Sequence, residues 1–220
     1  TAIDHAGARL ELHTSLGIVR ADRAIVTAPS ELIAREAIRF VPALPDKVEA
    51  ASGLPLGLAD KLFLSLADAE AFEAESRLWG RTDRAATGAY HFRPFGRPQI
   101  EAYFGGSLAA ELEKGGEAAF LDYATGELVN AFGKDFARRI KPIGLHPWKA
   151  DAFARGSYSY ALPGKADCRA ALAAPVDNRL FFAGEACSRN DYSTAHGAFE
   201  TGWNAAEDAL AFVQRSMPTG

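Results

Sequence analysis

The rhythm of apolar and polar residues changes several times along this chain, and each change marks an element. Arg9 to Thr14 and Ser15 to Arg20 alternate polar and apolar positions around a short turn, and Ala24 to Ala28 is a buried, mostly apolar run. This pattern predicts a β-meander followed by a buried strand. Pro29 restricts the turn that comes next, and Ser30 opens a short helix. Pro42, Pro45 and Pro55 then break the chain before alternation returns over Asp60 to Leu66. There Lys61, Phe63 and Ser65 share one face, and Leu62, Leu64 and Leu66 the other. Tyr90 to Phe92 and Ile100 to Phe104 read as strands, Arg93 to Pro98 as a loop, and Glu117 to Phe132 as a helix. Leu180 to Ala183 is a continuous apolar run, as in a strand covered on both faces of a parallel sheet. From Ala195 onward, Ala195, Ala198, Phe199, Gly202, Trp203, Ala206, Ala209, Leu210 and Val213 recur at helical spacing. That stripe predicts a helix with this face packed inward.

The junction between the last strand and this helix carries the strongest chemical signal. Gly184 and Glu185 turn the chain at the strand's end, and Ser193 or Thr194 can cap the helix. The helix's free N–H groups and positive dipole end then point toward the carboxyl end of the strand, where open α/β sheets bind ligands. An electron-rich ring atom placed there is stabilised, with the Ala195 N–H as a donor.

Composition narrows the possibilities. The chain has 220 residues, 48% of them hydrophobic, enough for one or two domains with a sizeable core. A formal net charge of −4 gives no basic field for nucleic acid, and no apolar run approaches the length of a membrane helix. Nucleic-acid and membrane partners are therefore disfavoured. Cys168 and Cys187 form no Cys-x-x-Cys pair, so free thiols and a cytoplasmic location are expected. Gly105, Gly106 and Ser107 make no nucleophile elbow, no phosphate-binding lysine loop occurs, and no carboxylates cluster with histidines as metal ligands. His196, without a partner at metal-ligand spacing, reads as a packing or loop-bracing residue.

Arg179 to Trp203 closely resembles the C-terminal FAD-binding signature of the flavin-containing amine oxidases, the family of monoamine oxidases, polyamine oxidases and flavin-dependent histone demethylases. Trp148 to Tyr160 is similar to the family's segment lining the flavin and substrate cavity. Ala21 to Pro29 resembles its strand leading into the cofactor site, and Asp60 to Leu66 the strand carrying its active-site lysine. The Gly-x-Gly-x-x-Gly turn with which the family holds the FAD pyrophosphate is not found in these residues. The resemblance implies a mixed α/β (α+β) fold: a partial FAD-binding, Rossmann-like domain with a β-meander, plus an inserted substrate domain of sheet and helices. Residues 1–38 and 146–214 are expected in the first and 39–145 in the second. The chain is expected to be the C-terminal part of a larger flavoenzyme, completed by an N-terminal FAD-binding segment or self-associating through its open edge.

The activity implied is FAD-dependent oxidation of a small-molecule amine. Hydride passes from the carbon next to nitrogen to flavin N5, the imine hydrolyses, and O2 is reduced to H2O2. By resemblance Lys61 holds a water beside N5, although a lysine at the start of a strand is ordinarily a solvated charge. Tyr158 matches the position that offers a ring to the substrate amine, against the alternative of aromatic packing. Ser157 stands where some members carry a flavin-linked cysteine, so the FAD is expected to be non-covalent. Thr194 falls at the second ring of the monoamine oxidases' aromatic cage, which is thus incomplete. Pro29, Gly184, Glu185 and Ala195 are expected near the cofactor, with Glu185 either accepting from ribityl hydroxyls or bracing its turn. Trp148 either contacts the ring system or fills the core. Two alternatives stand beside this reading: a flavin-free fragment or interaction module without activity, and a related FAD-dependent desaturase or oxidase.

Overall fold

The computed structural model describes residues 1–216, with side chains described through Ala211. The chain divides into two compact units, residues 1–56 with 153–220, and residues 57–152.

The first unit begins with β1 (Ala2–Asp4), β2 (Leu10–Thr14), β3 (Gly17–Ala21), β4 (Ala24–Val26), α1 (Ser30–Ala34), β5 (Arg39–Val41) and α2 (Pro45–Ser52). The meander is present, ordered β3-β2-β1-β5, with β5 parallel to β1 and the other pairs antiparallel. Its hairpin turns at Gly17, whose φ of +124° suits only glycine, while the Thr14 hydroxyl donates to Gly17 O at 2.8 Å. β3 buries neither face, and Ile18 and Val19 are exposed, so its alternation marks the strand and not a core. Ser30 is the first residue of α1 and not its cap: its hydroxyl donates to Leu54 O at 2.6 Å.

The second unit, residues 57–152, contains β6 (Ala59–Leu66), β7 (Arg77–Leu78), β8 (Ala89–Phe92), β9 (Gln99–Gly105), α3 (Gly106–Phe132) and β10 (Ile140–Leu145). The strands form one antiparallel sheet in the order β10-β6-β9-β8-β7. Alternation sends Leu62, Leu64, Leu66, Tyr90, Ile100 and Phe104 into a core closed by Leu108, Phe120 and Leu128 of α3. Gly116, at φ +67° and ψ −163°, breaks α3 in two, and the expected helix from Glu117 is the second part.

The chain returns to the first unit with α4 (Cys168–Ala173), β11 (Leu180–Phe182) and α5 (Ala195–Ser216). β11 lies parallel to β4, matching Phe181 with Ile25. Its Leu180 and Phe182 face a core with Val26, Ile33, Phe40 and Leu172, and Phe181 packs on the other side with Ala183 and Ala205 of α5. A strand buried on both faces is what its unbroken apolar run requires.

The first unit extends through Leu56 and resumes at Phe153. β5 pairs with β1, α2 packs against α1 and α4, and the 146–152 segment is tied to its own unit by Trp148 and Lys149. One expectation needs correction: in α5, Phe199, Trp203 and Leu210 are exposed. Its inward face consists of small residues because the helix lies close to its neighbours. A Cβ on Gly197 would sit 2.0 Å from Asp191 O, and Gly184 N–H donates to Thr201 Oγ1 at 3.0 Å. The Val213 side chain lies outside the described residues.

Candidate functional site

In the first unit the parallel strands β4 and β11 end on the same side, β4 leading to Pro29 and β11 to Gly184 and Glu185. Gly184 adopts φ +125°, which lets the chain turn sharply at the strand end. α5 runs back along β11, with Thr201 level with Gly184 and Ala205 against Phe181 and Ala183. Six residues of helix rise about 9 Å, so its first turn projects past the carboxyl end of the strand. Thr194 is the cap, its Oγ1 accepting Gly197 N–H at 3.1 Å. Helix geometry leaves the amides of Ala195 and His196 without intrahelical acceptors. His196 instead meets Asp191 across 3.4 Å and braces the loop.

Glu185 is held by three donors. Its Oε1 accepts Ser159 N–H at 2.9 Å, and its Oε2 accepts the Ser159 hydroxyl and Ser193 N–H, each at 2.8 Å. Ser193, at φ +62°, also donates its hydroxyl to Ser159 O at 2.7 Å. Ser159 is fully buried, and its neighbours Tyr158 and Tyr160 are both exposed, on the side away from it. Ser157 is half-buried beside them. These hydrogen bonds bring Ser159, with Ser157 and Tyr158 preceding it in the chain, to the Gly184–Glu185 turn and to the Ser193–Thr194 loop that leads into Ala195.

Lys61 and Trp148 belong to the second unit. Lys61 stands on the sheet face opposite the core, as alternation requires, and its Nζ lies 2.5 Å from Glu101 Oε1 of β9. In the register Phe63 faces Glu101 and Lys61 faces Tyr103, so the ion pair is a diagonal cross-strand contact. A cavity of about 410 Å³ opens on this face, lined by Lys61, Arg77, Trp79, His91, Glu101 and Tyr103. Trp148 N–H donates to Asp60 Oδ1 at 3.3 Å, and its ring meets that of His146 at 4.2 Å. Asp60 is fully buried, with Oδ2 lacking a hydrogen-bond partner. Burial foremost, with help from the nearby Glu113 carboxyl, pushes its pKa up to about 7.

Several of these groups escaped the sequence reading. Glu101 sits on an outward strand position like any solvated glutamate. Ser159 and Ser193 are small polar residues in loops. Arg169 had a readable signal, a lone charge within Cys168–Ala173, and it is 2% exposed. Lys47 had none; it is buried, donating to Ala171 O at 2.7 Å, Leu172 O at 2.9 Å and Ala174 O, which bolts α2 to the end of α4. Desolvation lowers its pKa to about 8.

Parallel strands meeting a projecting helix start are the arrangement beside which open α/β sheets bind ligands. The family model of flavin containing amine oxidoreductases matches residues 1–210, and the chain belongs to that family. It is 33% identical to Polyamine oxidase 2 of Arabidopsis thaliana over 201 residues, covering 86% of this chain and 39% of that protein. It is 30% identical to Lysine-specific histone demethylase 1 homolog 1 of Oryza sativa subsp. japonica over 215 residues, 93% of this chain and 25% of that one. Among solved structures, a putrescine oxidase mutant redesigned in its cofactor binding shares the fold, with a TM-score of 0.77 at 17% identity over 96% of this chain and 47% of that one. The chain spans about two fifths of the length of the polyamine oxidases it matches. No helix among the described residues is long and apolar enough to cross a membrane.

The residues present fit the flavin part of FAD. The positive-φ turn at Gly184, the unpaired amides at the start of α5 and a carboxylate with acceptor capacity left suit a ribityl chain and an electron-rich ring. Nothing in residues 1–220 supplies the glycine turn that would suit the pyrophosphate.

Proposed function

We propose that this chain forms the ring-side half of the cofactor site and the substrate-domain portion of an FAD-dependent amine oxidase. The observation that carries the proposal is the Gly184–Glu185 turn of β11 beside the Thr194-capped start of α5. In this reading the unit of residues 1–56 with 153–220 is the cofactor side, residues 57–152 are the substrate side, and the protein is cytoplasmic. When bound, FAD supplies the acceptor for a hydride from the carbon next to the substrate nitrogen, and O2 takes the electrons on to become H2O2.

The chain's own residues bind and orient. Pro29, Gly184 and Glu185 hold the ribityl side, and the Ala195 amide donates to the electron-rich edge of the ring. Lys61 would hold a water for the flavin chemistry, with Glu101 fixing the ammonium. Tyr158 offers a ring to the amine, and Trp148 borders the cofactor. Water then hydrolyses the imine. Ser157 cannot form a thioether, so denaturation releases all of the flavin.

In this reading the glycine turn comes from an N-terminal segment whose strand pairs with the open edge of β11, or the edge is covered by self-association. Residues 1–220 by themselves therefore bind FAD weakly or not at all. The test is anaerobic addition of mono-, di- and polyamines to the full-length, flavin-loaded protein. Bleaching of the flavin band by an amine is expected, and a flavin that no amine reduces would overturn the activity. The competing reading, a flavin-free interaction module, draws on the exposed Phe199, Trp203 and Leu210 of α5; a colourless full-length protein would favour it.

A further inference from the structure

One buried charge has no part in the roles above. Arg169 is 2% exposed in α4, among small and apolar neighbours. Its Nη1 donates to Ser159 Oγ at 2.9 Å and to Ala186 O at 3.2 Å. The guanidinium lies 4.1 Å from the Tyr192 ring centroid, and Nη2 is buried without a partner. Taking a guanidinium out of water and leaving one nitrogen unpaired is costly. An apolar side chain would fill the same volume at less cost, so packing does not account for an arginine here.

What an apolar residue cannot do is orient Ser159. Arginine donates and never accepts, so Ser159 Oγ must accept from it, and the single hydroxyl proton is committed to Glu185 Oε2. Oε2 then holds two donors and Oε1 one. A carboxylate offers about four acceptor positions, which leaves one open at Oε1. Ser159 also accepts the Ser193 hydroxyl on its carbonyl, so the same residue ties Tyr158, the Glu185 turn and the loop entering α5 together.

We propose that Arg169 is a positioning residue of the cofactor site: by fixing the Ser159 hydroxyl it holds the Glu185 carboxylate with an Oε1 acceptor position open to a ribityl hydroxyl of the flavin. This rests on the FAD reading above. Arg169 itself touches neither cofactor nor substrate.

The test is a double-mutant cycle in FAD affinity, measured on the full-length protein with melting temperatures alongside. Arg169→Met and Glu185→Gln should each weaken FAD about tenfold, the worth of one well-placed hydrogen bond. The double variant should be no weaker than either single one, because both act through the same carboxylate. A merely structural arginine would lower the melting temperature while its effect on affinity multiplied with that of Glu185→Gln, and that result would overturn the proposal. If Arg169→Met does not fold, Ser159→Ala takes its place in the cycle, with non-additivity again expected and additivity again fatal. A parent that binds FAD and an Arg169→Met variant that binds it equally well sink the positioning role and leave the FAD reading standing. A parent that binds no FAD sinks both.

Discussion

The two units place their candidate site residues by opposite means. In the unit of residues 57–152, one strand period does two jobs: Leu62, Ile100 and Phe104 turn into the core, and Lys61, Glu101 and Tyr103 turn out on the other face. A residue on that outer face can be exchanged without disturbing the core. In the unit of residues 1–56 with 153–220, the candidate residues sit on turns, and hydrogen bonds place them. Glu185 takes three donors from the protein, Thr194 caps a helix, and Ser159 links three segments. There each candidate residue is also a structural tie, so chemistry and stability should fail together. On the sheet they should separate.

The largest expected effect lies in the sheet's core. Phe104 is fully buried between the sheet, Tyr90, Phe120 and Tyr123. Phe104→Ala should cost about 3–5 kcal/mol of unfolding free energy, measured by denaturant titration, and a loss under about 1 kcal/mol would mean this core is misdescribed. Next comes the outer face. Lys61→Met in the full-length, flavin-loaded protein should slow flavin reduction or reoxidation on the order of a hundredfold, about 2.7 kcal/mol of barrier. FAD affinity and melting temperature should stay near the parent's. Stopped-flow rates equal to the parent's in both half-reactions would remove Lys61 from the mechanism, and a large loss of stability would break the separation argued above.

Gly197→Ala probes the other mode. A Cβ there would meet the backbone oxygen of Asp191 at 2.0 Å, and the adjacent Thr194 cap would have to move with it. A cost of about 1–3 kcal/mol is expected, as for overpacking, together with weaker FAD binding. Unchanged stability, or lost stability with intact flavin affinity, would show that α5's start is not the tie described.

This division also explains what could be read from the residues beforehand. The sheet faces were legible because alternation states burial directly: Leu62, Leu64 and Leu66 inward, Lys61 outward. The run Leu180 to Ala183 was legible for the same reason, being apolar at every position. The helix Ala195–Ser216 was legible as a helix but not in its orientation. The hydrophobic stripe takes Phe199 and Trp203 for inward residues, whereas close approach to the Asp191 loop selects Gly197 and packing on β11 selects Ala205. Periodicity carries no information on such steric selection. Arg169, Lys47 and Asp60 were not read as buried because a charged residue ordinarily marks a solvated face. Their burial depends on partners distant in sequence: Ser159 for Arg169, the α4 carbonyls for Lys47, the Trp148 segment for Asp60. The place of β5 in the first unit was illegible for a similar reason, since Pro42 and Pro45 break elements while the pairing of β5 with β1 is long-range.

The smallest expected effect concerns Asp60, which stands beside Lys61 in sequence but faces the opposite way. Its carboxyl is buried and held up to about 7, against 3.8 for an ordinary aspartate, by desolvation first and by the Glu113 carboxyl after it. Between pH 4 and pH 7 the folded state thus keeps a proton that the unfolded state has released. Stability must fall as pH rises through that window, and this group adds no further slope above it. Asparagine is close to a neutral copy of the protonated acid and can still accept Trp148 N–H on its side-chain oxygen. Asp60→Asn should therefore melt a few degrees higher than the parent at pH 8, with the difference shrinking toward pH 4. Because the change lies on the core side of β6, the outer face should not feel it, and the half-reaction proposed for Lys61 should keep its rate. A melting difference independent of pH, or one that grows toward acid, would show that Asp60 is ionised in the folded protein. It would also show that the Trp148 segment is held by a charge and not by a neutral hydrogen bond.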